Sequence, residues 1–469
     1  MEWQTARSWI PWVVCGLWVV RGVDLQHSDL VVQHTLVAVR RDPAAFPSDL
    51  VADHAVAHPG LWLDLVALLP ATEGVWWVLG FLCTGAAAAL AMGLARQIGI
   101  HGAGMALAGF AVLMPRMLPG WVELMPVAPL SRAAVVPAVL GALWLSLRGR
   151  AEWAGVVAGL AIAIHPGVGL GGAVMVMMCT QRLHRTIAFA TACAAPSLVP
   201  SLVHTVALDF DSDWWMVTVA RWDHHLQAGK GWTIAGFLTL LLLLCVGMRR
   251  ERWVMRVSLG ALVVVAVALV VVMGVRTGLM PAGWARLHPW HWCVGPALWA
   301  LLLGVREAFQ TTGSRLWVAA LLCVGVDGTW VGWRTPAMPL PPAVLEHLTT
   351  VDPRRPILVD PRAVPWARLQ SGRAVVASVK DGAEVIASPR FAARWSNRIQ
   401  DLCALREPPS GSQPGWLRYR RACKWPRPDL DLARLAVAYR PAVVWTDQVV
   451  RTDWPVLYTG TDGTWLAVP

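Results

Sequence analysis

The sequence predicts an all-α polytopic membrane protein with about eleven transmembrane helices, followed by a small C-terminal α+β domain. Three observations support this fold class. Hydrophobic residues make up 56% of the chain and charged residues only 15%, whereas typical soluble domains contain about 25% charged residues. Apolar runs separated by short, arginine-rich loops recur through residues 1–333. From residue 334 onwards, prolines and then short β-like runs replace that pattern.

The predicted transmembrane domain spans residues 1–333. Its apolar segments fall at 8–23, 74–95, 98–114, 131–147, 152–164, 167–180, 186–203, 232–248, 254–275, 290–305 and 315–333. Several are shorter than the ~20 residues of a comfortable membrane span, so we expect some helices to be tilted, partly re-entrant or surrounded by thinned bilayer. No A-x-A cleavage site follows the first segment, which favours an uncleaved first helix.

The direction of the chain through the membrane depends on the stretch 152–180. Arginines flank this stretch on both sides, and short basic loops favour the cytoplasmic face. Two short helices with a turn at Pro166 satisfy both flanks, because proline lacks a backbone donor and disfavours helix at the residue before it. The other basic loops then fall on the same side. We therefore expect a multi-pass protein of the plasma (inner) membrane, with a cytoplasmic N-terminus and an extracytoplasmic C-terminus.

The net charge of +11 arises mainly from arginines in those loops, where they act as topology signals, so we expect no nucleic-acid partner. Seven of the nine cysteines lie in or beside apolar runs. The other two, Cys403 and Cys423, can form one disulfide if the C-terminal domain lies outside the cytoplasm. The run Gly167 to Gly172 (GVGLGG) follows no strand, which favours close helix packing over a dinucleotide site.

Three loops are predicted on the outer face, at 24–73, 204–231 and 276–290. The first is the longest, and residues 29–39 within it have the spacing of an amphipathic helix at the membrane interface. It also carries Asp29 and Asp49, at the level where a lipid-linked substrate presents its head group. Sugar transfer from a polyprenyl phosphate requires a general base for the acceptor hydroxyl, so Asp29 or Asp49 is the candidate catalytic residue. The alternative is that these carboxylates cap helices or occupy turns.

Cationic and imidazole side chains on the same face are candidates for binding the substrate and its leaving phosphate. They are His54, His165, Arg221, Arg276 and Arg286. For His165, the alternative is that it caps the turn that it precedes. Asp209, Asp211 and Asp213 form a D-x-D-x-D run whose alternating carboxylates can share a divalent cation such as Mg²⁺ or Mn²⁺. A hydrated loop is the alternative interpretation of that run.

The predicted C-terminal domain, residues 334–469, begins with a proline-rich linker. Its expected strands lie at 357–359, 374–379, 443–445, 456–458 and 465–468, and its expected helices at 389–402 and 429–439. Ser388 is the expected N-cap of the first of these helices, and Asp462-Gly463 marks a hairpin turn. Arg390, Arg394 and Arg398 share one face of that helix. They either bind an anionic glycan or lipid phosphate, or form a solvated basic face.

This layout resembles the GT-C superfamily of membrane glycosyltransferases. The shared features are an acidic first outer loop with Asp29 and Asp49, many short helices, short cytoplasmic loops and an outward C-terminal domain. The segment from Arg373 to Lys380, together with Arg394-Trp395 and Arg398, also looks like the tail of an uncharacterised group of bacterial GT-C-like membrane proteins. The resemblance implies a polyprenyl-phosphate sugar donor and a base in the first outer loop. No Asp-Glu pair stands in that loop.

We therefore expect an integral membrane glycosyltransferase of the cell envelope, which transfers a sugar from a polyprenyl-phosphate donor on the outer face. Two alternatives stay open. A transporter or flippase for a lipid-linked substrate predicts inverted repeats and charged or broken helices near the midplane, and the sequence shows few ionisable residues in mid-helix. A non-catalytic membrane scaffold would instead use the C-terminal domain to bind a partner.

Overall fold

The chain is mostly helical, with a small four-stranded sheet near its C-terminus. The computed structural model describes residues 25, 27–57, 60–114, 117–118, 122–126, 128–206, 212–222, 231–280, 284–285, 288–310, 340–363, 365–385, 388–409, 415–423, 425, 432–446, 453–460 and 463–469. The predicted apolar segments 8–23 and 315–333 lie outside the described residues, so the first and last expected membrane passes stay predictions.

The helices before residue 311 mostly follow the predicted apolar segments, and otherwise lie in the predicted outer loops 24–73 and 204–231. They are α1 (Ser28–Arg41), α2 (Leu61–Ala67), α3 (Glu73–Gln97), α4 (Ala103–Leu113), α5 (Ser131–Leu147), α6 (Ala151–Ile164), α7 (Pro166–Cys179), α8 (Leu183–Val206), α9 (Ser212–Trp222), α10 (Gly231–Gly247), α11 (Arg252–Arg276), α12 (Pro289–Trp292) and α13 (Val294–Gln310), with a 3-10 turn at Ala52–Ala57. Each of the nine predicted segments in the described part of the chain overlaps one of these helices. Among the described residues, three stretches are long and apolar enough to cross a membrane: α3, α11 and α12–α13 taken together. The total of about eleven passes stays a prediction.

The stretch 152–180 forms two helices, as the sequence predicts. α6 ends at Ile164 and α7 begins at Pro166, whose fixed φ suits the first turn of a helix. His165 stands between them as the N-cap of α7, and its Nδ1 accepts a hydrogen bond from the Val168 backbone N–H at 3.3 Å. The capping role of His165 is therefore confirmed, whereas its predicted role in substrate binding stays a prediction.

Small residues allow α7 to approach its neighbours closely. A Cβ atom at Gly172 would lie 2.6 Å from a methyl carbon of Val139 on α5, and one at Gly171 would collide with the carbonyl oxygen of Trp292 on α12. Any side chain at these two positions would therefore push the helices apart. The interpretation of the GVGLGG run as a packing surface is confirmed.

Ion pairs join the helix ends at one end of the bundle. Arg185 pairs with Glu152 at 2.7 Å and ties the first turn of α8 to the first turn of α6. Arg306 pairs with Glu251 at 2.7 Å and ties the last turns of α13 to the start of α11, which itself lies beside the end of α7. The basic loops of the sequence therefore meet at this end, and the start of α5, the α6–α7 turn and α12 lie at the other.

α11 presents an apolar face to the outside. Val263, Val267, Val270 and Met273 recur at about one-turn spacing and are between 42% and 59% exposed. Exposing a row of apolar side chains of this length to water is unfavourable, whereas exposing it to lipid tails is not. The face is therefore typical of a helix that lies against lipid.

The C-terminal part combines helices with the sheet. Its helices are α14 (Pro342–Thr350), α15 (Trp366–Ser371), α16 (Pro389–Cys403), α17 (Gly415–Ala422) and α18 (Leu432–Tyr439), and its strands are β3 (Ile357–Leu358), β4 (Val443–Thr446), β5 (Val456–Gly460) and β6 (Gly463–Ala467). The strand order is β3-β4-β6-β5, with β3 parallel to β4 and the other pairs antiparallel. β5 and β6 form the predicted hairpin. Earlier in the chain, β1 (Met117–Leu118) and β2 (Val122–Glu123) form a separate antiparallel pair.

The prediction of a strand at 374–379 is wrong, because this stretch forms only one isolated β-bridge. Val375 pairs with Ile357, but the chain then turns away from the sheet. The Ser378 N–H donates to the Asp381 carboxylate at 3.0 Å, and the Asp381 N–H donates back to Ser378 Oγ at 3.1 Å. This reciprocal pair starts a 3-10 turn at Asp381–Glu384, so local side-chain hydrogen bonds override the β-like run.

The N-terminus of α16 is capped as predicted. Ser388 Oγ accepts from the Phe391 backbone N–H at 3.4 Å, and Pro389 occupies the first turn. The helix ends at Cys403, and Ala404 directly after it takes a left-handed conformation with φ 52°. The apolar face buries Phe391 and Trp395 completely.

The arginine face of α16 is only partly free. Arg390 is exposed, whereas Arg394 pairs with Asp53 at 2.9 Å and Arg398 donates to the Val376 carbonyl oxygen at 2.7 Å. Two of the three side chains therefore hold α16 against the rest of the protein. The predicted glycan or lipid-phosphate role of this set stays a prediction.

A disulfide joins Cys403 at the end of α16 to Cys423, which follows α17. The two residues are 20 positions apart in sequence, and the bond closes the chain between them into a loop. The loop persists after unfolding and lowers the conformational entropy of the unfolded chain. Disulfides persist in oxidising compartments, which agrees with the expected extracytoplasmic position of this part of the chain.

We expect the double substitution Cys403→Ser and Cys423→Ser to lower the free energy of unfolding by about 3 kcal/mol, because the unfolded chain regains conformations that the closed loop excludes. The measurement is the thermal midpoint of the purified protein in detergent, followed by Trp fluorescence. Cys245→Ser, at an exposed cysteine of α10 with a free thiol, is the matched control and should leave the midpoint unchanged. A wild-type midpoint in the double variant would contradict the expectation.

Candidate functional site

Asp29 lies where α1, α5, the β1–β2 pair and the C-terminal part meet. Five titratable side chains come together there, and we call them the Asp29 cluster: His27, Asp29, Glu123, Arg132 and Lys380. α5 starts in this cluster and ends beside the basic loops, so the cluster lies at the opposite end of the bundle from those loops.

Arg132 bridges the two carboxylates of the cluster. Its Nη2 lies 3.0 Å from Asp29 Oδ2 and 3.9 Å from Glu123 Oε2. Lys380 forms a second ion pair with Asp29, through Oδ1. His27 Nε2 lies 3.6 Å from Glu123 Oε1. Asp29 is therefore held between two cations, and Glu123 between a guanidinium and an imidazole.

Local structure explains how these side chains are placed. His27 caps α1, since its Nδ1 accepts from the Asp29 backbone N–H at 3.2 Å, and Asp29 in the first turn meets the positive end of the helix dipole. Gln33, one turn further on, clamps α1 to α5. Its Nε2 donates to Ser131 Oγ, and its Oε1 accepts from the Ser131 N–H, both at 3.3 Å. Arg132 follows directly and is thereby set beside Asp29.

Both carboxylates are ionised at neutral pH. Burial alone raises the pKa of Asp29, but the charges of Lys380, His27 and Arg132 outweigh burial and hold that pKa well below its ordinary range. Burial also raises the pKa of Glu123, and the contact with His27 and the charges of His27 and Arg132 bring it below its ordinary value. The side chains of Asp29 and Glu123 are 33% and 22% exposed, so a ligand can reach them.

Asp49 lies in a different setting, an ion triad that we call the Asp49 triad. Its Oδ2 accepts from Arg368 Nε at 2.7 Å, and the other guanidinium nitrogens of Arg368 bind both oxygens of Asp381 at 3.0 Å. All three side chains are completely buried.

The remaining hydrogen bonds of Asp49 are to the backbone. Oδ1 accepts from the N–H groups of Val51 and Ala52, and Oδ2 also accepts from that of Val375. Burial and the second carboxylate, Asp381, raise the pKa of Asp49 against the opposing charge of Arg368. With both oxygens engaged and no exposure, Asp49 is suited to tying residues 49–52 to the C-terminal part. Its predicted catalytic role gains no support and stays a prediction.

The structure disperses the predicted substrate-binding residues. His54 packs edge-on against Phe391, and its Nδ1 lies 3.0 Å from the Leu50 carbonyl oxygen. Arg221 is buried on α9 and donates to the Val379 carbonyl oxygen at 3.3 Å, directly before Lys380. Arg276 is exposed at the end of α11. Arg286 lies outside the described residues.

His165 interacts electrostatically with Arg132 of the Asp29 cluster, and its ring centroid lies 5.1 Å from that of His291. His291 in turn stacks on His288 at 4.9 Å. The structure therefore brings three histidines to the same end of the bundle as Asp29.

The side chains of the three predicted metal ligands are not among those that the structure describes. Asp209 and Asp211 lie outside the described residues, and Asp213 falls in α9 with no described side chain. Within the described ranges, no group of three His, Cys, Asp or Glu side chains is arranged to hold a metal ion. The divalent cation stays a prediction.

Sequence reasoning missed most of the Asp29 cluster. Glu123, Arg132 and His27 were not singled out, although Glu123 is the sole acidic residue between Glu73 and Glu152 and so carried a signal. Lys380 was noted as a cationic residue of the C-terminal segment, but no partner was predicted for it. The first outer loop contains no Asp-Glu pair in its sequence. The fold instead brings together an aspartate and a glutamate that are 94 positions apart, Asp29 and Glu123, on the shared Arg132.

No protein-family model matches the chain, and the comparison with curated proteins gave no match. The fold itself defines a helical protein with apolar helices that can span a membrane and a small sheet. A function therefore has to be inferred from the chemistry of the Asp29 cluster and its position in the bundle.

Proposed function

We propose that this chain is a polytopic membrane glycosyltransferase of the GT-C-like type, acting at the Asp29 cluster. The observation that carries the proposal is the shared arginine. Arg132 holds Asp29 and Glu123 together while Lys380 holds the other oxygen of Asp29. Carboxylates able to take a proton thus stand beside cations able to hold a phosphate, which is the combination that glycosyl transfer from a phosphate carrier requires.

The membrane setting is supported by three features. α3, α11 and α12–α13 are long and apolar enough to span, and α11 exposes an apolar face. Basic loops gather at one end of the bundle and the Asp29 cluster lies at the other, which by the positive-inside rule is the outer face. The Cys403–Cys423 disulfide also favours an extracytoplasmic position for the C-terminal part.

In the proposed reaction, the acceptor hydroxyl oxygen attacks the anomeric carbon of a sugar carried on a polyprenyl phosphate. The new C–O bond forms as the bond from that carbon to the phosphate oxygen breaks. The hydroxyl proton passes to Asp29 or Glu123, and Lys380 and Arg132 hold the negative charge that the leaving polyprenyl phosphate carries away. A divalent cation at Asp209, Asp211 and Asp213 would assist the same leaving group.

The arrangement also accounts for how Asp29 becomes an effective base. Lys380 and Arg132 depress the pKa of Asp29, and a carboxylate of low pKa is a weak base. A donor phosphate that takes up these cations would release Asp29 from them. The pKa of Asp29 would then rise, because burial alone favours its protonated form. Proton acceptance is thereby coupled to donor binding.

We expect Asp29→Asn and Glu123→Gln to abolish or strongly reduce formation of one surface glycan or glycolipid, with at least one variant losing about 100-fold or more of product formation. The measurement is complementation of a deletion strain of the native host, with glycans profiled and protein levels matched. Asp53→Asn, at an exposed ion pair outside the cluster, is the matched control and should restore the glycan.

The outcomes separate the proposed function from its alternatives. A deletion that changes a glycan, with both cluster variants behaving as wild type, would remove the Asp29 cluster from the reaction. A deletion that leaves every surface glycan intact would overturn the glycosyltransferase proposal and favour a scaffold or a transporter of lipid-linked substrates.

A further inference from the structure

The C-terminal part contains a cleft of about 310 Å³ that is separate from the Asp29 cluster. It opens between the segment before β3, the middle of α16 and the end of α18. Its lining residues are Ser48, Asp352, Arg354, Arg355, Pro356, Val376, Arg398, Ala438, Tyr439 and Arg440. We call it the arginine cleft. Its volume is at the small end of the range for ligand sites, so it suits a compact ligand.

The lining of the arginine cleft is strongly cationic. Four arginines face one aspartate, Asp352, which leaves three positive charges in excess. Asp352 is itself partly engaged, because its Oδ1 accepts from the Arg354 backbone N–H at 2.9 Å. Like charges gathered around one concave site repel each other, and an anion bound there would relieve that repulsion.

Two of the four arginines build the wall of the cleft. Arg355 donates to the carbonyl oxygens of Pro441 and Val468, at 2.7 Å and 3.0 Å. Arg398 donates to the Val376 carbonyl oxygen at 2.7 Å. These contacts hold the side chains in place and leave further N–H donors of each guanidinium for a ligand.

The other two arginines are available. In the part of the chain that the structure describes, the guanidinium groups of Arg354 and Arg440 make neither a hydrogen bond nor an ion pair. Both residues are exposed. Arg440 also has φ 45°, a left-handed conformation that glycine or asparagine adopts more readily, directly after the end of α18. The cleft thus combines two fixed arginines with two free ones.

We propose that the arginine cleft binds a phosphate or pyrophosphate group. A planar guanidinium donates two parallel hydrogen bonds to a phosphate, and several of them around one cleft can surround a multiply charged anion. Ser48 adds a hydroxyl group to the lining, whereas the Tyr439 hydroxyl already donates to Asp401 Oδ2 at 2.9 Å. The site is independent of the Asp29 cluster and holds whether or not that cluster is catalytic.

Two sources can present this chemistry: the head group of an anionic lipid and a phosphate compound free in solution. The probe is sodium pyrophosphate, titrated calorimetrically at constant ionic strength into the full-length protein in nanodiscs. One set of nanodiscs contains phosphatidylcholine alone, and the other also contains phosphatidylglycerol.

We expect saturable pyrophosphate binding to the wild-type protein in phosphatidylcholine nanodiscs. The double substitution Arg354→Ala and Arg440→Ala should weaken it by about tenfold or more, because each removes charge-assisted hydrogen bonds. The matched control is Arg420→Ala with Arg421→Ala, two exposed arginines of α17 outside the cleft, which should bind as wild type. If the double variant does not fold, the single substitution Arg354→Ala, in an exposed turn, replaces it in the test. This single variant should weaken pyrophosphate binding by a smaller factor.

The affinities for pyrophosphate in the two kinds of nanodisc distinguish the two sources of the ligand. Apparent affinity that weakens in phosphatidylglycerol nanodiscs by a larger factor for the wild type than for the double variant supports the site and identifies a lipid head group as its ligand, because general repulsion by the anionic bilayer acts on both proteins alike. Weakening by the same factor in both proteins, or no weakening, supports the site and identifies a soluble phosphate compound. Absence of saturable binding in both, or equal binding by the cleft variants and the wild type, would overturn the proposal.

Discussion

Replacing Arg368 with methionine is expected to lower the free energy of unfolding by about 3–5 kcal/mol, because the substitution leaves two buried carboxylates without their cation. Asp49 and Asp381 share this one guanidinium, and all three side chains are completely buried. An ionised carboxylate stranded in such a place must stay charged at high cost or bind a proton. The measurement is the thermal midpoint in detergent, supported by protease sensitivity of the segment around Asp49.

The matched control is Arg394→Ala. Arg394 pairs with Asp53 at 2.9 Å and joins the same two regions of the chain, but both side chains are 34% exposed. Exposed pairs contribute about 1 kcal/mol or less, so this variant should shift the midpoint little. The triple substitution Asp49→Asn, Arg368→Met and Asp381→Asn should recover part of the loss, since it removes the stranded charges. Equal shifts for the Arg368 and Arg394 variants would contradict the role given to the Asp49 triad.

The Asp49 triad also bears on the Asp29 cluster, because Lys380 directly precedes Asp381. The guanidinium group of Arg368 binds Asp381 through two nitrogens and Asp49 through the third. These bonds hold the turn that places Lys380 beside Asp29. The acidic loop after the first predicted helix thus contributes both aspartates, one to each site. Asp49 is therefore linked to the turn that carries Lys380 through Arg368 and Asp381.

Local signals in the sequence predicted the elements well. α5 runs from Ser131 to Leu147 as expected, since a polar residue and an arginine loop bound its apolar run. The Ser388 cap and the His165-Pro166 turn were equally local, as each depends on residues within one turn. The strand expected at 374–379 failed because a hydrogen-bonded turn at Asp381 competes with the β-like run.

The site could not be predicted in the same way, because its contacts join distant segments. Asp29 and Lys380 are separated by 351 positions, and Asp49 and Arg368 by 319. With 40 Lys and Arg residues in the chain, spacing alone gives no means of choosing the partner of any one aspartate. The two candidate bases looked alike in sequence. Only their surroundings distinguish an accessible carboxylate beside two cations from a buried structural one.

Exchanging the charges of Asp29 and Lys380 is expected to recover part of the stability that either single substitution loses, without restoring activity, because the exchange also puts a positive charge beside Arg132. Either single substitution, Asp29→Lys or Lys380→Asp, places like charges together and should destabilise the protein, whereas the double substitution rebuilds one ion pair. A base on the wrong side of the pair cannot take the acceptor proton, so product formation should stay about 100-fold or more below wild type. The measurement pairs the thermal midpoint of each variant with the glycan profile of the complemented deletion strain.

The conservative substitution Asp29→Glu completes this test. It keeps a carboxylate beside Lys380 and Arg132, one methylene further from the backbone, and should retain more of the glycan than Asp29→Asn does. A charge-exchanged protein that is both stable and fully active would show that the Asp29–Lys380 pair only holds the first outer loop against the C-terminal part. A stable but inactive one supports a need for the carboxylate at position 29, where it lies beside both Lys380 and Arg132.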